Sequence, residues 1–116
     1  MATAKKKSNI PAEKFELYEK LIQSIPKIER KGAVHPYTSV NGHMFTYLDQ
    51  TGTLGIRLPE KELDVFLKKY KTPLFESYGV VKKGWATVPA KLLEDTKALK
   101  KYLEISYEHT KTLKPK

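Results

Sequence analysis

The chain has 116 residues, of which 40% are hydrophobic, so it is long enough to bury one core and too short for two ordinary domains. It contains no cysteine, which excludes disulfides, thiolate metal sites and thiol nucleophiles. Its 22 Lys and Arg against 13 Asp and Glu give a formal net charge of +9, a value that raises the question of nucleic-acid binding.

The first predicted element is a helix that begins near Ile10. Apolar residues then recur at spacings of three and four, at Phe15, Tyr18, Ile22 and Ile25. Ser8 or Asn9 is expected to cap this helix, and Pro26 to kink or end it because proline lacks the amide hydrogen that a helix needs. Residues 1–9 are short, basic and without periodicity, which predicts a disordered N-terminal arm.

Three strands are predicted next, at Tyr37–Val40, His43–Asp49 and Thr53–Leu58. Asn41-Gly42 is a favoured pair for a two-residue hairpin turn, because both central positions of that turn need positive φ. The segment Gln50–Gly52 makes the second tight turn. These residues predict a three-stranded meander.

The second half of the chain predicts a helix, a loop, a hairpin and a final helix. Pro59 opens the helix, and residues 72–79 form the loop. The hairpin pairs Ser77–Val81 with Trp85–Val88 across a turn that contains a glycine. Asp95 caps the final helix, whose buried stripe contains Leu99, Leu103 and Tyr107. The order α-β-β-β-α-β-β-α predicts a single α+β domain over residues 10–113, followed by a basic tail at 114–116.

Strand alternation predicts a candidate binding face on the sheet. In the second strand Met44, Thr46 and Leu48 should point one way, toward the helices, together with Leu54, Ile56 and Leu58 of the third strand. The candidate face then carries His43, Phe45, Tyr47, Arg57 and Trp85. Such a mixed aromatic and basic surface suits nucleic-acid bases or another planar ligand. The alternative is that a helix of the same chain or a second subunit covers these rings. Gly55 leaves room for a close neighbour in either case.

Catalytic motifs are missing from the sequence. The histidines at positions 35, 43 and 109 have no metal-ligand spacing around them, and there is no phosphate-binding loop or nucleophile elbow. We therefore expect a protein that is not an enzyme and that uses no metal or cofactor.

The basic residues offer a second candidate surface. All of the 22 except Arg30 and Arg57 are lysine, whereas base readout and bidentate phosphate contacts favour arginine. Candidate nucleic-acid contacts are Lys5, Lys6, Lys7, Lys100, Lys101 and Lys111. The alternative is that the terminal lysines belong to solvated tails.

Several motifs resemble a known family. They are "GHMF" at residues 42–45, "GTLGIRL" at 52–58, "PLF" at 73–75, "WATVP" at 85–89 and "LED" at 93–95. Together they resemble the N-terminal domain of the TfoX/Sxy competence regulators, with YjbR/MmcQ-like proteins as relatives, over about residues 13–113.

The resemblance implies a five-stranded antiparallel sheet packed by helices, similar to the secretion-chaperone-like fold. It also implies a bacterial regulator, since TfoX proteins promote competence gene expression alongside a cyclic-AMP receptor protein, and it brings no catalytic residues. The usual Arg-x-Met-Phe-Gly opening of the family is replaced by residues 31–37, and we do not expect a counterpart of the family's helical C-terminal domain.

Three functions remain open at this point. The first is a non-enzymatic binding or regulatory module that acts through a protein partner or as a homodimer. The second is a nucleic-acid-binding protein that uses the lysines and the candidate face, and the third is a small-molecule sensor. No run of about 18 apolar residues and no secretory signal is recognisable, so we expect a cytoplasmic protein without a membrane partner.

Overall fold

Four helices and five strands make up the described part of the chain, which in this computed structural model is residues 10–32, 36–77 and 79–115. In chain order they are α1 (Ala12–Gln23), β1 (Tyr37–Val40), β2 (His43–Leu48), β3 (Leu54–Arg57), α2 (Glu60–Tyr70), β4 (Leu74–Ser77), β5 (Val80–Val88), α3 (Ala90–Leu93) and α4 (Thr96–Lys111). This α+β order confirms the predicted fold class and adds the single-turn helix α3. The predicted N-terminal arm lies outside the described residues.

The five strands form one antiparallel sheet in the order β1-β2-β3-β5-β4. Asn41 and Gly42 both have positive φ, 57° and 82°, so the predicted Asn-Gly turn joins β1 to β2. Lys31 exchanges two backbone hydrogen bonds with Tyr37 and so pairs with the start of β1. Strand β4 forms the other edge of the sheet.

The second hairpin differs from its prediction. Residues 74–77 form β4 instead of a loop, and β5 begins at Val80, so the turn lies before Val80 and not at Lys82–Gly84. The pairing moves from Leu74↔Ala86 to Glu76↔Val81, which is two steps along β4 and five along β5. The three additional residues in β5 form a large irregularity that sequence periodicity did not predict.

The helices pack on one face of the sheet, which we call the first face. Register places Thr46, Ile56 and Ala86 side by side on this face, because directly opposed residues in neighbouring strands point the same way. All four helices contribute to the buried core there, which includes Leu21, Leu48, Leu54, Phe66, Val88, Leu93 and Leu103.

A chain of buried hydroxyl groups joins α1 to the first face. The Tyr18 hydroxyl lies 2.7 Å from Thr46 Oγ1, which in turn lies 2.6 Å from Thr38 Oγ1. All three side chains are fully buried, so these hydrogen bonds satisfy groups that have no access to water. Burial raises the pKa of Tyr18 well above its ordinary value, and hydrogen bonding to Thr46 opposes this shift only in part.

The helix boundaries are partly as predicted. Pro11 occupies the N-cap of α1 without a side-chain cap, while the predicted caps at residues 8 and 9 lie outside the described residues. Helix α1 ends at Gln23, before Pro26. The Asp95 carboxylate accepts a hydrogen bond from the backbone N–H of Ala98 at 3.2 Å, which confirms the predicted cap of α4.

Candidate functional site

A β-bulge at Phe45 changes which residues share a face. Thr38 pairs with Thr46, but the next residue of β1, Ser39, pairs with Met44, so Phe45 has no partner opposite it. An extra residue of this kind rotates the strand and interrupts the alternation of its side chains. Phe45 consequently points to the first face, next to Thr46, although the two residues are neighbours in sequence.

The surroundings of Phe45 agree with this placement. Its side chain is fully buried in the helix-covered core, and its ring lies edge-to-face against Tyr107 of α4 with 5.7 Å between the ring centroids. Its carbonyl accepts a hydrogen bond from Ser106 Oγ at 3.4 Å. Phe45 therefore stabilises the packing of α4 on the sheet, and its predicted place on the candidate face is wrong.

The bulge also exchanges the predicted positions of His43 and Met44. His43 pairs with Val40, which packs against the core, and His43 Nε2 lies 2.7 Å from the carbonyl oxygen of Lys114, just beyond α4. Met44 pairs with Ser39, whose neighbour Thr38 lies on the first face, so Met44 belongs to the opposite, second face. His43 thus leaves the candidate face, and Met44 joins it.

Three predicted residues do share the second face. Tyr47 of β2 lies opposite Gly55 of β3. Arg57, two residues further along β3 and therefore on the same face, lies opposite Trp85 of β5. Tyr47 and Arg57 are half-buried, whereas Trp85 is only 5% exposed. The structure therefore brings Tyr47, Arg57 and Trp85 together.

The residue that sequence reasoning missed is Phe75. A Cβ atom built on Gly55 would lie 2.5 Å from two atoms of the Phe75 ring, so the ring rests directly on the Gly55 backbone. It stacks on Trp85 at 6.1 Å and meets Tyr47 edge-on at 6.2 Å between centroids. Phe75 belongs to the segment that was predicted as a loop, and its ring is buried on the second face, outside the main core. We call Tyr47, Arg57, Phe75 and Trp85 the second-face cluster.

Two contacts within the chain hold the Arg57 guanidinium. Its Nε donates a hydrogen bond to the carbonyl oxygen of Met44 at 2.9 Å, and its Cζ lies 5.4 Å from the centroid of the Trp85 ring. Among the described residues no carboxylate forms an ion pair with Arg57. Burial lowers the pKa of this guanidinium, which nevertheless remains charged at neutral pH because arginine starts from so high a value. The second face thus holds a positioned cation that lacks a counter-ion among these residues.

The candidate lysines lie elsewhere. Lys100 is half-buried on α4, and Lys101 and Lys111 are exposed on the same helix. Lys111 Nζ lies 3.9 Å from Glu108 and 5.5 Å from the centre of the Tyr107 ring. The predicted contacts Lys5, Lys6 and Lys7 lie outside the described residues. Since α4 packs on the first face, its lysines and the second-face cluster lie on opposite sides of the sheet and do not form one surface.

Within residues 10–32, 36–77 and 79–115, no three His, Asp or Glu side chains come close enough together to hold a metal ion. None of the helices in these ranges has the length and the apolar character required to cross a bilayer.

No protein-family model matches the chain, and neither does any curated protein or solved structure. The resemblance to the TfoX/Sxy N-terminal domain therefore stays a prediction that depends on the motifs themselves.

Proposed function

We propose that this chain is a non-enzymatic protein-binding module, and that its second face docks an acidic segment of a partner protein. The proposal depends on the surroundings of Arg57. Its guanidinium donates a hydrogen bond to the Met44 carbonyl and lies over the Trp85 ring, and no carboxylate among the described residues forms an ion pair with it.

The composition of the second face supports a protein partner. Arginine, tyrosine and methionine are enriched at the centres of protein interfaces, and Met44, Tyr47 and Arg57 share this face. Because the buried rings of Phe75 and Trp85 already stack on each other, they lose little conformational entropy when a partner binds. Met44, Tyr47 and Arg57 are half-buried and supply the accessible part of the face.

Charge supports an acidic partner over a second copy of the chain. Two copies that each carry +9 repel each other, whereas an acidic partner gains attraction and a faster association rate. The regulatory role implied by the TfoX/Sxy resemblance agrees with a protein-binding module, and the proposal does not depend on that resemblance.

Nucleic-acid binding is a second candidate because of the +9 charge and the exposed lysines at positions 82, 83 and 101. The ring geometry does not favour it, since Phe45 and Trp85 are buried and present no free face on which bases could stack. Titration with duplex and single-stranded oligonucleotides over a salt series tests this candidate, for which affinity should fall steeply with added salt.

Site-specific photo-cross-linking in cells that naturally express the chain tests the proposed function. A photoreactive residue replaces Met44 in one variant and, as a control, Val65, which is 56% exposed on α2. We expect one acidic protein to cross-link at position 44 and not at 65. Untagged wild-type chain should compete for that protein, and Tyr47→Ala chain should compete poorly.

Two results would contradict the proposal. Equal cross-linking at positions 44 and 65 would mean that the second face has no special role. If the purified chain forms a dimer by light scattering, and Tyr47→Ala converts this dimer to a monomer, the face mediates self-association instead.

A further inference from the structure

The Nη atoms of Arg57, which have no hydrogen bond to the described residues, indicate the chemistry of the partner. We infer that Arg57 binds a single carboxylate of the partner, from an Asp or Glu side chain or from a C-terminus, through paired hydrogen bonds from its two Nη atoms. This inference rests on the proposed function, because it assumes that the second face is where a partner docks.

The fixed orientation of the guanidinium supports this chemistry. The bond from Nε to the Met44 carbonyl holds one edge of the planar group, and its Cζ lies over the Trp85 ring, 5.4 Å from the ring centroid. Neither Nη atom has a hydrogen bond to the described residues, so the pair remains as a fork of parallel donors. Such a fork matches the two oxygens of a carboxylate, and its pre-organisation reduces the entropy lost on binding.

Desolvation supports a charged acceptor over a neutral one. Arg57 is half-buried, and burial lowers its pKa, which means that part of its hydration is already lost. A carboxylate restores the favourable interaction of the cation more fully than an amide does, because hydrogen bonds between charged groups are the stronger ones. A carboxylic acid should therefore bind more tightly than its isosteric amide.

The number of cations favours a carboxylate over a phosphate. Arg57 is the single charged member of the second-face cluster, and one cation neutralises one carboxylate. A phosphorylated side chain carries about −1.5 to −2 at pH 7 and is usually held by several basic groups. The nearest lysine in sequence on β5, Lys83, is exposed and two residues from Trp85, so its charge is screened by solvent.

The side chains beside Arg57 indicate which residue lies next to the acidic residue in the partner segment. Tyr47 belongs to the same cluster, and Met44 shares the face and supplies the carbonyl that Arg57 holds. An apolar residue next to the acidic one would cover these two half-buried side chains. The expected partner segment therefore pairs an apolar residue with Asp or Glu.

Nuclear magnetic resonance tests the inference, and the composition of the chain makes the signals simple to assign. The sequence has one tryptophan, so the indole N–H signal belongs to Trp85, and Arg30 and Arg57 are the two arginines. The probes are the blocked dipeptide N-acetyl-Leu-Glu-amide, its Leu-Gln analogue and its Leu-phosphoserine analogue. Arg30→Gln identifies the Arg57 Nε–H signal by subtraction and serves as the charge-matched control.

We expect the Leu-Glu probe to shift both the Trp85 and the Arg57 signals in a saturable way. The Leu-Gln probe should bind at least about tenfold more weakly, because it lacks the charge. Arg57→Gln should lose binding to a similar extent, and Arg57→Lys should restore only part of it, because lysine keeps the charge without the fork. Arg30→Gln should bind like the wild type.

Several outcomes would contradict the binding of a carboxylate by Arg57. Equal binding of the Glu and Gln probes, or undiminished binding by a folded Arg57→Gln variant, overturns the carboxylate inference while the cross-linking result still decides the proposed function. Tighter binding of the phosphoserine probe overturns it in favour of a phosphorylated partner. The absence of any shift with the Leu-Glu probe also overturns it. If Arg57→Gln does not fold, the comparison of the Glu and Gln probes on wild-type chain decides the question.

Discussion

Gly55→Ala is the sharpest test of how the second-face cluster is built. Gly55 does not have positive φ, so its backbone accepts alanine without conformational strain. The added Cβ would lie 2.5 to 2.7 Å from three atoms of the Phe75 ring, whereas ordinary contacts begin at 3.4 Å. The ring must therefore move by about 1 Å, although it is 1% exposed and in contact with Tyr47 and Trp85.

Two opposing effects determine the magnitude. Overpacking of this kind costs about 1 to 3 kcal/mol. Replacing glycine by alanine lowers the entropy of the unfolded chain and returns about 0.4 to 1 kcal/mol. We expect Gly55→Ala to lower the free energy of unfolding by about 1 to 2 kcal/mol, measured by urea denaturation with far-UV circular dichroism.

A double-mutant cycle separates the clash from other effects. Phe75→Ala alone should cost about 3 to 5 kcal/mol, because it removes a buried aromatic ring. In the double variant the clash is gone, so its cost should be less than the sum of the single costs by about 1 kcal/mol or more. Gly79→Ala is the control, since a Cβ there meets no heavy atom within 4 Å and the cost comes from its φ of +77°. Additive costs for Gly55→Ala and Phe75→Ala, or a more stable Gly55→Ala chain, would refute this account of the cluster.

Three further predictions concern the first face and the helices, each measured by urea denaturation. Tyr18→Phe should cost about 0.5 to 1.5 kcal/mol by removing the hydrogen bond to Thr46. Because burial raises the pKa of Tyr18, the stability that its neutral side chain contributes is present below about pH 10 and is lost as the pH rises further. Above that pH the Tyr18→Phe variant should therefore lose less stability than the wild type. An equal loss of stability in the two chains would contradict this account. Asp95→Ala should cost about 0.5 to 2 kcal/mol by removing the N-cap of α4, whereas the exposed neighbour change Glu94→Ala should cost little, and equal costs would remove the cap from the explanation. Phe45→Ala should cost about 3 to 5 kcal/mol as a core deletion, and a cost below about 1 kcal/mol would contradict its position beneath α4.

Features that depend on neighbouring residues were predictable from the sequence. The Asn41-Gly42 turn follows from the positive φ that both residues tolerate, and the Asp95 cap follows from a short carboxylate placed before an apolar helix. The close approach to Gly55 was also predictable, since glycine inside a strand marks a place where another group comes near. Local sequence did not identify that neighbour as Phe75.

The candidate face was only partly predictable. Tyr47, Arg57 and Trp85 lie together as alternation predicted, because no bulge interrupts the pairing of β3 with its neighbours at these positions. Phe45 and His43 were assigned to the wrong face, since one unpaired residue in β2 shifts every side chain on its far side. Strand β4 was predicted as a loop, because its residues acquire strand structure only by pairing with β5.

The class and order of the elements were thus predictable from local sequence, since they follow from periodicity, turn residues and caps that act over a few positions. The register of β1 against β2 and the irregular pairing of β4 with β5 are visible only in the folded chain. Register depends on contacts between residues that are distant in the chain, and it determines which side chains share a face. The position of Arg57 beside Trp85 was therefore predictable. The packing of the Phe75 ring on Gly55 and Trp85 was not, because it depends on how β4 pairs with β5 in the folded sheet.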